Sequence, residues 1–248
     1  MPILDDLLDE LRVDGSVEHV LVGAHWTMVQ VRVDERVLTG MATTVPDDAP
    51  HGEAPVRDAG RLHLKTAREL AKYARSPRSL EASIGVAALN ALAARDPLPS
   101  VDLNAADWLE THGRGRRVAL VGHFPFITRL RAAAQTLWVI EQRPVGDEIP
   151  AERAAEFLAQ ADVIALTAMT LVNHTLDDLL CACHTDARIM LLGPSTPLMP
   201  RLFDYGIQVL SGAQVVDADA ARLGIAQGAG LRQLDGVRLV TLTRAGIG

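Results

Sequence analysis

The sequence predicts an α/β protein in which a Rossmann-like parallel sheet domain follows a smaller α+β domain. The first observation is that short apolar runs alternate with helical segments from Arg117 onward. The runs at residues 118–121 and 163–166 are continuously apolar, as in strands covered by helices on both faces. The second is that the preceding chain shows a hairpin pattern followed by two helical segments. We therefore expect two domains, residues 1–98 and residues 99–248.

The N-terminal domain is predicted to begin with a helix and a β-hairpin. Apolar side chains recur at helical spacing over residues 3–11. Residues 17–33 and 37–45 are rich in β-branched side chains, and Asp34-Glu35-Arg36 between them suits a hairpin turn. Residues 46–60 hold three prolines and two glycines, which predicts a mobile loop.

Two helices, over residues 64–75 and 80–94, are predicted to complete this domain. Ser76-Pro77 separates them, because proline is tolerated at the start of a helix but not in its interior. Gly85 lies inside the second helix, where glycine costs about 1 kcal/mol relative to alanine. We expect close helix packing or ligand approach at that position. Residues 95–100 contain two prolines and predict the beginning of a linker.

The C-terminal domain is predicted from strands and helices that alternate along the chain. The predicted strands are residues 118–122, 136–141, 163–167, 188–193, 207–211 and 237–241. The predicted helices are residues 102–115, 126–134, 151–160, 176–184 and 197–203. This alternation is typical of a parallel sheet covered by helices.

Charge and hydropathy exclude several classes of partner. The formal net charge of −7 argues against a general nucleic-acid-binding protein, which needs a basic surface. No run approaches the roughly 18 apolar residues of a spanning helix, and the acidic first ten residues lack the basic start of a signal peptide. Two cysteines, Cys181 and Cys183, do not make a disulfide framework. We expect a cytoplasmic protein without nucleic-acid or membrane partners, and a homodimer as the default assembly.

Polar residues follow most of the predicted strands of the C-terminal domain. Ligands of an open parallel sheet bind beyond the carboxyl ends of its strands, near the switch in strand order. The candidate ligand-binding residues there are Gly122, His123, Phe124, Glu141, Thr167, Thr170, Asn173, His174, Gly193, Pro194, Ser195, Thr196 and Gly212. The N-terminal domain adds Thr43, at the end of its hairpin, and Asn90, in its last predicted helix.

The segment Gly193-Pro194-Ser195-Thr196-Pro197 is the most informative of these strand ends. Ser195 and Thr196 suit the N-terminus of the next helix, where free N–H groups would bind a carboxylate or phosphate. The alternative is a capped strand-to-helix turn with no ligand. Thr175 is likewise expected to cap the helix over residues 176–184. Asn173 and His174 project from the preceding loop as donors or ligands, and the alternative is a structural use of both.

Glu141 ends the second predicted strand, nineteen residues after Gly122. An acidic residue at that place binds ribose hydroxyls in Rossmann folds. Residues 122–126 do not form the G-x-G-x-x-G motif, and Pro125 removes a backbone donor, so ordinary NAD binding is not expected. Glu141 then has three alternatives, which are to bind a nucleoside, to bind a metal, or to pair with Arg143.

Histidine and cysteine residues raise the question of a metal site. His123, Glu141 and His174 would suit a borderline transition metal if they converged on one point. A packed or hydrogen-bonded histidine is the structural alternative for His123. Cys181 and Cys183 point about 200° apart on a helix, and only Cys181 and His184 share a face, so a structural thiolate site is not expected.

The order of motifs resembles one known family. The segments concerned are Val121-Gly122-His123-Phe124-Pro125, Val139-Ile140-Glu141, Ala161-Asp162-Val163, Thr170-Leu171-Val172-Asn173-His174-Thr175 and Leu192-Gly193-Pro194-Ser195-Thr196-Pro197. They are similar to the domain-of-unknown-function family described as "putative heavy-metal chelation". Residues 40–44 and 83–90 are similar to the enolase N-terminal-like domain that precedes it. The resemblance covers nearly the whole chain, although the pair Cys181 and Cys183 is not part of the family pattern.

The resemblance implies an enolase-like N-terminal fold, a Rossmann-like C-terminal domain and a site in the cleft between them. It implies a protein that chelates a heavy metal, or that binds or processes a metal-complexed small molecule. Under this hypothesis the candidate groups are His123, Glu141, Asn173 and His174, and Ser195 and Thr196 hold an anionic portion of the ligand. The alternative is an enzyme with a nucleoside-containing cofactor such as S-adenosylmethionine, in which Glu141 would bind the ribose. A third hypothesis, a scaffold without small-molecule chemistry, predicts a cleft filled by side chains.

Overall fold

The structure is a computed structural model that describes residues 2–46, 54–96, 98–101 and 103–244. Helix α1 (Pro2–Glu10) opens the chain, and β1 (Ser16–Val22), β2 (Trp26–Val33) and β3 (Arg36–Thr43) form an antiparallel sheet in that order. The predicted hairpin turn is confirmed, since Val33 pairs with Arg36 across it. Asp34 adopts φ 53° there, a left-handed conformation that aspartate tolerates.

The sequence prediction of one strand over residues 17–33 is wrong, because a turn divides it into β1 and β2. The Gly23 N–H donates to the Trp26 carbonyl at 2.9 Å and closes this turn. A Cβ atom at Gly23 would lie 2.6 Å from the Ile225 carbonyl oxygen, so only glycine permits the approach. Both strands are rich in β-branched residues, so the sequence pattern does not indicate the turn between them.

Helices α2 (Ala67–Ala71) and α3 (Ser79–Ala93) follow the small sheet. We call the elements from α1 to α3 the N-terminal layer. The predicted helix over residues 64–75 is shorter than expected, because Thr66 and Glu69 form a capping box that starts α2 at Ala67. The chain then tightens into a 3-10 turn before Pro77. Within the predicted loop over residues 46–60, residues 47–53 lie outside the described part of the chain.

Helix α3 is buried along most of its length and packs against β2 and β3. Two glycines permit its close approach to neighbouring backbone. A Cβ atom at Gly85 would lie 1.8 Å from the Ala74 nitrogen, and one at Gly40 would lie 2.1 Å from the Ala91 nitrogen. The predicted close packing at Gly85 is therefore confirmed.

The C-terminal part alternates strands and helices as predicted. Its strands are β4 (Arg117–Val121), β5 (Thr136–Glu141), β6 (Ile149–Pro150), β7 (Val163–Thr167), β8 (Arg188–Leu192), β9 (Ile207–Val215) and β10 (Val237–Thr243). Its helices are α4 (Ala105–Gly113), α5 (Ile127–Ala133), α6 (Ala154–Leu158), α7 (Met169–Val172), α8 (Leu176–Ala182) and α9 (Ala218–Ala226). The sequence missed β6, α7 and α9, which are short or weakly apolar. The helix predicted over residues 197–203 is only a 3-10 turn that begins at Pro200.

The large sheet has the order β10-β9-β8-β7-β4-β5-β6. All neighbouring strands are parallel except the edge pair of β9 and β10. The chain moves outward from β4 to β6 on one side and then returns beyond β4 to β7, so the topological switch point lies between β4 and β7. The predicted fold class is confirmed as a mixed α/β fold with a large, mainly parallel sheet preceded by a small antiparallel one.

The exact division at residues 98 and 99 stays a prediction, as do the homodimer and the cytoplasmic location. Within the described residues, the structure contains no helix that is both long and apolar enough to cross a membrane.

Candidate functional site

Gly122 lies at the topological switch point between β4 and β7. Gly122 follows β4 with φ +106°, and a Cβ atom there would lie 3.0 Å from the Thr167 Cβ atom at the end of β7. Its lack of a side chain lets the two strand ends approach. Phe124 stacks on Phe126, with ring centroids 5.3 Å apart, and holds the loop that follows. His123 is therefore presented at the carboxyl edge of the sheet.

The N-terminal layer is joined to the carboxyl ends of β7 and β8. The Thr43 N–H donates to Ser195 Oγ at 2.8 Å, and the Ser195 hydroxyl lies 3.1 Å from Thr43 Oγ1. Asn90 Nδ2 donates to the Ser195 carbonyl at 3.1 Å and to the Met41 carbonyl at 2.9 Å. His174 has a left-handed backbone with φ 61°. Its Nε2 lies 2.7 Å from the Ala74 carbonyl oxygen, and because that oxygen can only accept, Nε2 carries the proton. These contacts define the seam between the two layers.

Several candidate residues make local structural contacts. The Thr170 hydroxyl donates to the Thr167 carbonyl at 2.6 Å. Asn173 Oδ1 accepts from the backbone and hydroxyl of Thr175 at 3.3 and 2.8 Å and stabilises the turn before α8. Thr175 occupies the expected N-cap position, although its own side chain makes no capping hydrogen bond.

The loop after β8 is packed tightly rather than opened toward a helix N-terminus. Gly193 has φ +117° and donates its N–H to the Ser211 carbonyl at 3.0 Å, and Pro194 follows half-buried. A Cβ atom at Gly212 would lie 2.8 Å from the Thr196 carbonyl, so β9 approaches this loop closely. The following 3-10 turn starts at Pro200 without a side-chain cap.

A cavity of about 540 Å³ lies beside this loop, between the N-terminal layer and the β9–β10 edge of the sheet. Thr39, Gly40, Asn90, Ala93 and Ala94 line it from the N-terminal layer. From the other side it is lined by Leu98, Pro99, Ser100, Thr196, Leu198, Ala213, Gln214, Arg238, Val240 and Leu242. A cavity of this size is in the usual range for small-molecule sites.

Two oxygen atoms on residues of the cavity wall have no hydrogen-bond partner among the described residues. They are Asn90 Oδ1 and Thr196 Oγ1, and each exposes less than 1 Å². The orientation of the Asn90 amide is fixed, because both groups facing Nδ2 are carbonyl oxygens that need a donor. Thr196 as a whole is 2% exposed. Leaving a polar atom buried without a partner costs about 1–3 kcal/mol, so two such atoms beside one cavity are unusual.

At the switch point, His123 is paired with a glutamate that the sequence analysis missed. His123 Nδ1 lies 2.9 Å from Glu148 Oε1, and Glu148 Oε2 accepts the Val145 N–H at 2.9 Å. The Val145 N–H, and then the imidazole, hold the pKa of Glu148 below its ordinary value. Glu141 ends β5, and Glu141 Oε2 accepts the backbone N–H of Gln142 at 3.2 Å.

The expected metal ligands make separate contacts. His123 pairs with Glu148 at the switch point, whereas His174 binds the carbonyl of Ala74 at the seam. Within the described residues, no group of three or more His, Cys, Asp or Glu side chains is placed to hold a metal ion. Cys183 follows α8 directly, is half-buried and donates to the Leu179 carbonyl, and burial raises the pKa of its thiol to about 12.

The sequence analysis also missed residues on the far wall of the cavity. Gln214 and Arg238 come from β9 and β10 and are 2.8 Å apart through Arg238 Nη2 and Gln214 Oε1. The pairing of Arg238 with Gln214 in the antiparallel edge pair explains the contact. The sequence predicted β10 but not its antiparallel direction, and direction is what brings these two side chains together.

Two family models with the same description match the N-terminal and the C-terminal parts of the chain. The profile of the DUF364 family, described as "Putative heavy-metal chelation", matches residues 104–243. The DUF4213 profile, with the same description, matches residues 4–93. An uncharacterized protein of Methanocaldococcus jannaschii is 25% identical over 227 residues, which cover 88% of this chain and 86% of that protein.

Two crystal structures of DUF364 proteins of unknown function share the fold. The protein from Desulfitobacterium hafniense superposes with a TM-score of 0.80 at 26% identity, over 98% of this chain and 97% of that one. The protein from Pyrococcus horikoshii superposes with a TM-score of 0.82 at 20% identity, over 97% and 98% of the two chains. With the DUF364 profile covering more than half of its length, this chain belongs to the "Putative heavy-metal chelation" family DUF364.

Proposed function

We propose that the protein binds a small organic molecule that carries a chelated metal ion, in the cleft between the N-terminal layer and the C-terminal sheet. The observation that carries the proposal is the cavity of about 540 Å³ with two partnerless buried oxygen atoms on its wall. A scaffold without small-molecule chemistry would have a cleft filled by side chains, and such a cleft would leave no cavity of this volume. The family description supports a metal as part of the ligand.

The chemistry of the cavity wall favours an organic ligand with a polar end. Most wall residues are apolar or small, which suits the body of such a molecule. Arg238 supplies a guanidinium with five N–H donors, of which its hydrogen bond to Gln214 uses one. A carboxylate of the ligand is the natural partner for the others, because guanidinium and carboxylate match in geometry.

The two oxygen atoms specify donor groups on the ligand. Asn90 Oδ1 can only accept, so a hydroxyl, amide or ammonium group would satisfy it. Thr196 Oγ1 can accept or donate. Both atoms are buried, so the ligand contacts them only after a small adjustment of the surrounding side chains. In this account the organic molecule supplies the donors that hold the metal, and the protein recognises the complex.

Calorimetric titration of the metal-free protein with chelates tests this function. The probes are Ni²⁺–citrate and Cu²⁺–histidine complexes, with each metal, each free chelator and S-adenosylmethionine as separate arms. We expect a chelate to bind and to raise thermal stability, by about 2.7 kcal/mol at a hundredfold excess over Kd. Stabilisation by S-adenosylmethionine alone would contradict the proposal.

A cavity-blocking variant locates the binding. Ala94 lines the cavity at the end of α3, and Ala94→Phe should fill part of the volume and abolish chelate binding. Ala155→Phe, on the exposed face of α6, is the matched control and should bind as the wild type does. Equal chelate binding by both variants would place the ligand elsewhere.

A further inference from the structure

We propose that the ligand of the cavity is an aliphatic α-amino acid, free or bound to a metal ion, whose primary amine and carboxylate contact opposite walls. The inference rests on the proposed function in taking this cavity as the binding site, and it names the organic part of the ligand. The two walls differ in polarity. Asn90 Oδ1 and Thr196 Oγ1 present acceptor oxygens, whereas Arg238 presents N–H donors.

The two acceptor oxygens lie in one part of the cavity wall. Asn90 Nδ2 donates to the Ser195 carbonyl at 3.1 Å, and that carbonyl belongs to the peptide bond that leads into Thr196. The Asn90 side chain therefore contacts the backbone beside Thr196, although the two oxygens do not bond to each other. Two neighbouring acceptors are satisfied by one group with at least two hydrogens. A primary amine is such a group, whereas a hydroxyl has a single hydrogen to donate.

Strand register sets the distance between the acceptor wall and the donor wall. A Cβ atom at Gly212 on β9 would lie 2.8 Å from the Thr196 carbonyl oxygen, so this part of β9 contacts the loop after β8. Gln214 follows two residues later on the same face of the strand, which is about 7 Å along β9. Arg238 is the partner of Gln214 on β10. A ligand that contacts both walls can therefore be as small as an amino acid.

The charge of the cavity wall favours a ligand that carries both an amine and a carboxylate. Among the described residues that line the cavity, Arg238 has the only charged side chain, and none has a carboxylate. The guanidinium would repel a ligand whose only charge is positive. An anion without a donor group would leave the two buried oxygens unsatisfied. An α-amino acid offers the guanidinium a carboxylate of matching geometry and offers the oxygens an amine.

The apolar part of the lining specifies the kind of amino acid. Leu98, Leu198, Val240 and Leu242 line the cavity and present aliphatic groups. They suit an aliphatic side chain, whose burial raises affinity at least tenfold relative to a ligand that lacks it. Valine should therefore bind at least tenfold more tightly than glycine, and equal affinities for the two would contradict the aliphatic class.

A pair of isomers tests the contact with the amine. Valine and N,N-dimethylalanine contain the same atoms and carry the same charges at pH 7. The free dimethylated amine has one N–H where valine has three, and it has none when it binds a metal. Calorimetric titration of the full-length protein uses each compound free and as its preformed Cu²⁺ complex. We expect valine to bind at least tenfold more tightly than its isomer, which leaves a buried acceptor without a donor. Equal affinities for the two isomers would overturn the proposal.

Two substitutions assign the groups of valine to the two walls. Thr196→Val leaves one acceptor oxygen, so the preference for free valine over N,N-dimethylalanine should shrink. Arg238→Met should weaken valine binding at least tenfold without weakening isobutylamine, which lacks the carboxylate. Arg222→Met is the matched control, because Arg222 is exposed on α9 and is not among the lining residues. An undiminished preference in Thr196→Val, or equal valine affinity in the two arginine variants, would overturn the proposal.

The same titrations separate this inference from the function on which it rests. Binding of free valine without binding of its copper complex would support the amino-acid ligand and contradict a chelated metal. Binding of Ni²⁺–citrate without binding of either form of valine would overturn the amino-acid ligand and leave the chelate function standing. Failure of every chelate and of free valine to bind would contradict both.

Discussion

Ser195 and Thr43 join the two layers of the protein through a pair of hydrogen bonds. Ser195 Oγ accepts the Thr43 N–H at 2.8 Å and lies 3.1 Å from the Thr43 hydroxyl. Ser195 is 1% exposed, so water does not compete for these bonds. The hydroxyl of the neighbouring residue Thr196 has no such partner within residues 2–46, 54–96, 98–101 and 103–244. Adjacent hydroxyl residues therefore have different roles, one in the seam and one on the cavity wall.

The first prediction concerns this seam. Ser195→Ala leaves the Thr43 N–H without its acceptor, and we expect the free energy of unfolding to fall by about 1–3 kcal/mol. Urea denaturation of both proteins measures the difference. Ser100→Ala, at an exposed position on the cavity rim, should change stability by less than about 0.5 kcal/mol. A Ser195→Ala protein as stable as the Ser100→Ala protein would show that the seam does not depend on these bonds.

The second prediction concerns Gly85. A methyl group there would overlap the Ala74 backbone nitrogen, at 1.8 Å, and backbone cannot move aside as a side chain does. Gly85→Ala should therefore lower the free energy of unfolding by about 3 kcal/mol or more, despite the better helix propensity of alanine. Gly146→Ala is the comparison, since Gly146 has φ +66° but no neighbouring atom within 4 Å. It should cost about 1–2 kcal/mol. A stabilised Gly85→Ala protein would contradict the packing described for α3.

The alternation of strands and helices could be predicted because it follows from local patterning. Continuous apolar runs such as residues 163–166 distinguish buried parallel strands from amphipathic ones. The break between β1 and β2 could not be predicted, since it depends on the approach of Ile225 from a distant part of the chain. The antiparallel direction of β10 is also a tertiary property that no local pattern encodes.

The third prediction concerns the two cysteines. Burial raises the pKa of Cys183 to about 12, so almost none of its thiol is ionised at neutral pH. Cys181 lies two residues earlier, in the last turn of α8, and is exposed. Because the thiolate is the reactive form, an alkylating reagent should modify Cys181 at least tenfold faster than Cys183 in the folded protein. Mass spectrometry of partially alkylated protein measures the ratio, which should approach one after denaturation. Faster labelling of Cys183 in the native state would contradict its environment.

The fourth prediction concerns acid stability. The guanidinium and N–H of Arg117 bind the Asp162 carboxylate and lower its pKa from 3.8 to about 2. The stabilisation is complete above the unfolded pKa and is lost as the pH falls through the folded one. The stability difference between wild type and Asp162→Asn should therefore be constant above about pH 5 and shrink between pH 4 and pH 2. Urea denaturation across this range measures it, and a difference independent of pH would contradict the ion pair.

Two residues that line the cavity, Asn90 and Thr196, were among the candidates predicted from the sequence. The analysis of strand ends selected Ser195 and Thr196, because polar residues at the carboxyl edge of a parallel sheet are unusual for simple turns. Asn90 was selected separately, from the last predicted helix of the N-terminal domain. It could not tell the partnered hydroxyl of Ser195 from the partnerless one of Thr196, since that depends on where Thr43 lies. Glu148 was missed because its role follows from the pairing of β5 and β6, and β6 is only two residues long.

The measurement that tests the central claim most directly is the Thr196→Val substitution, followed by both denaturation and chelate titration. Valine keeps the shape of threonine and removes a buried hydroxyl that has no partner in the described part of the chain. We predict that the free energy of unfolding stays the same or rises, while affinity for the bound chelate falls about tenfold, the loss of one ligand hydrogen bond. Ser195→Ala should do the reverse, with lower stability and unchanged affinity. Undiminished chelate affinity in Thr196→Val would contradict a ligand that contacts this wall of the cleft.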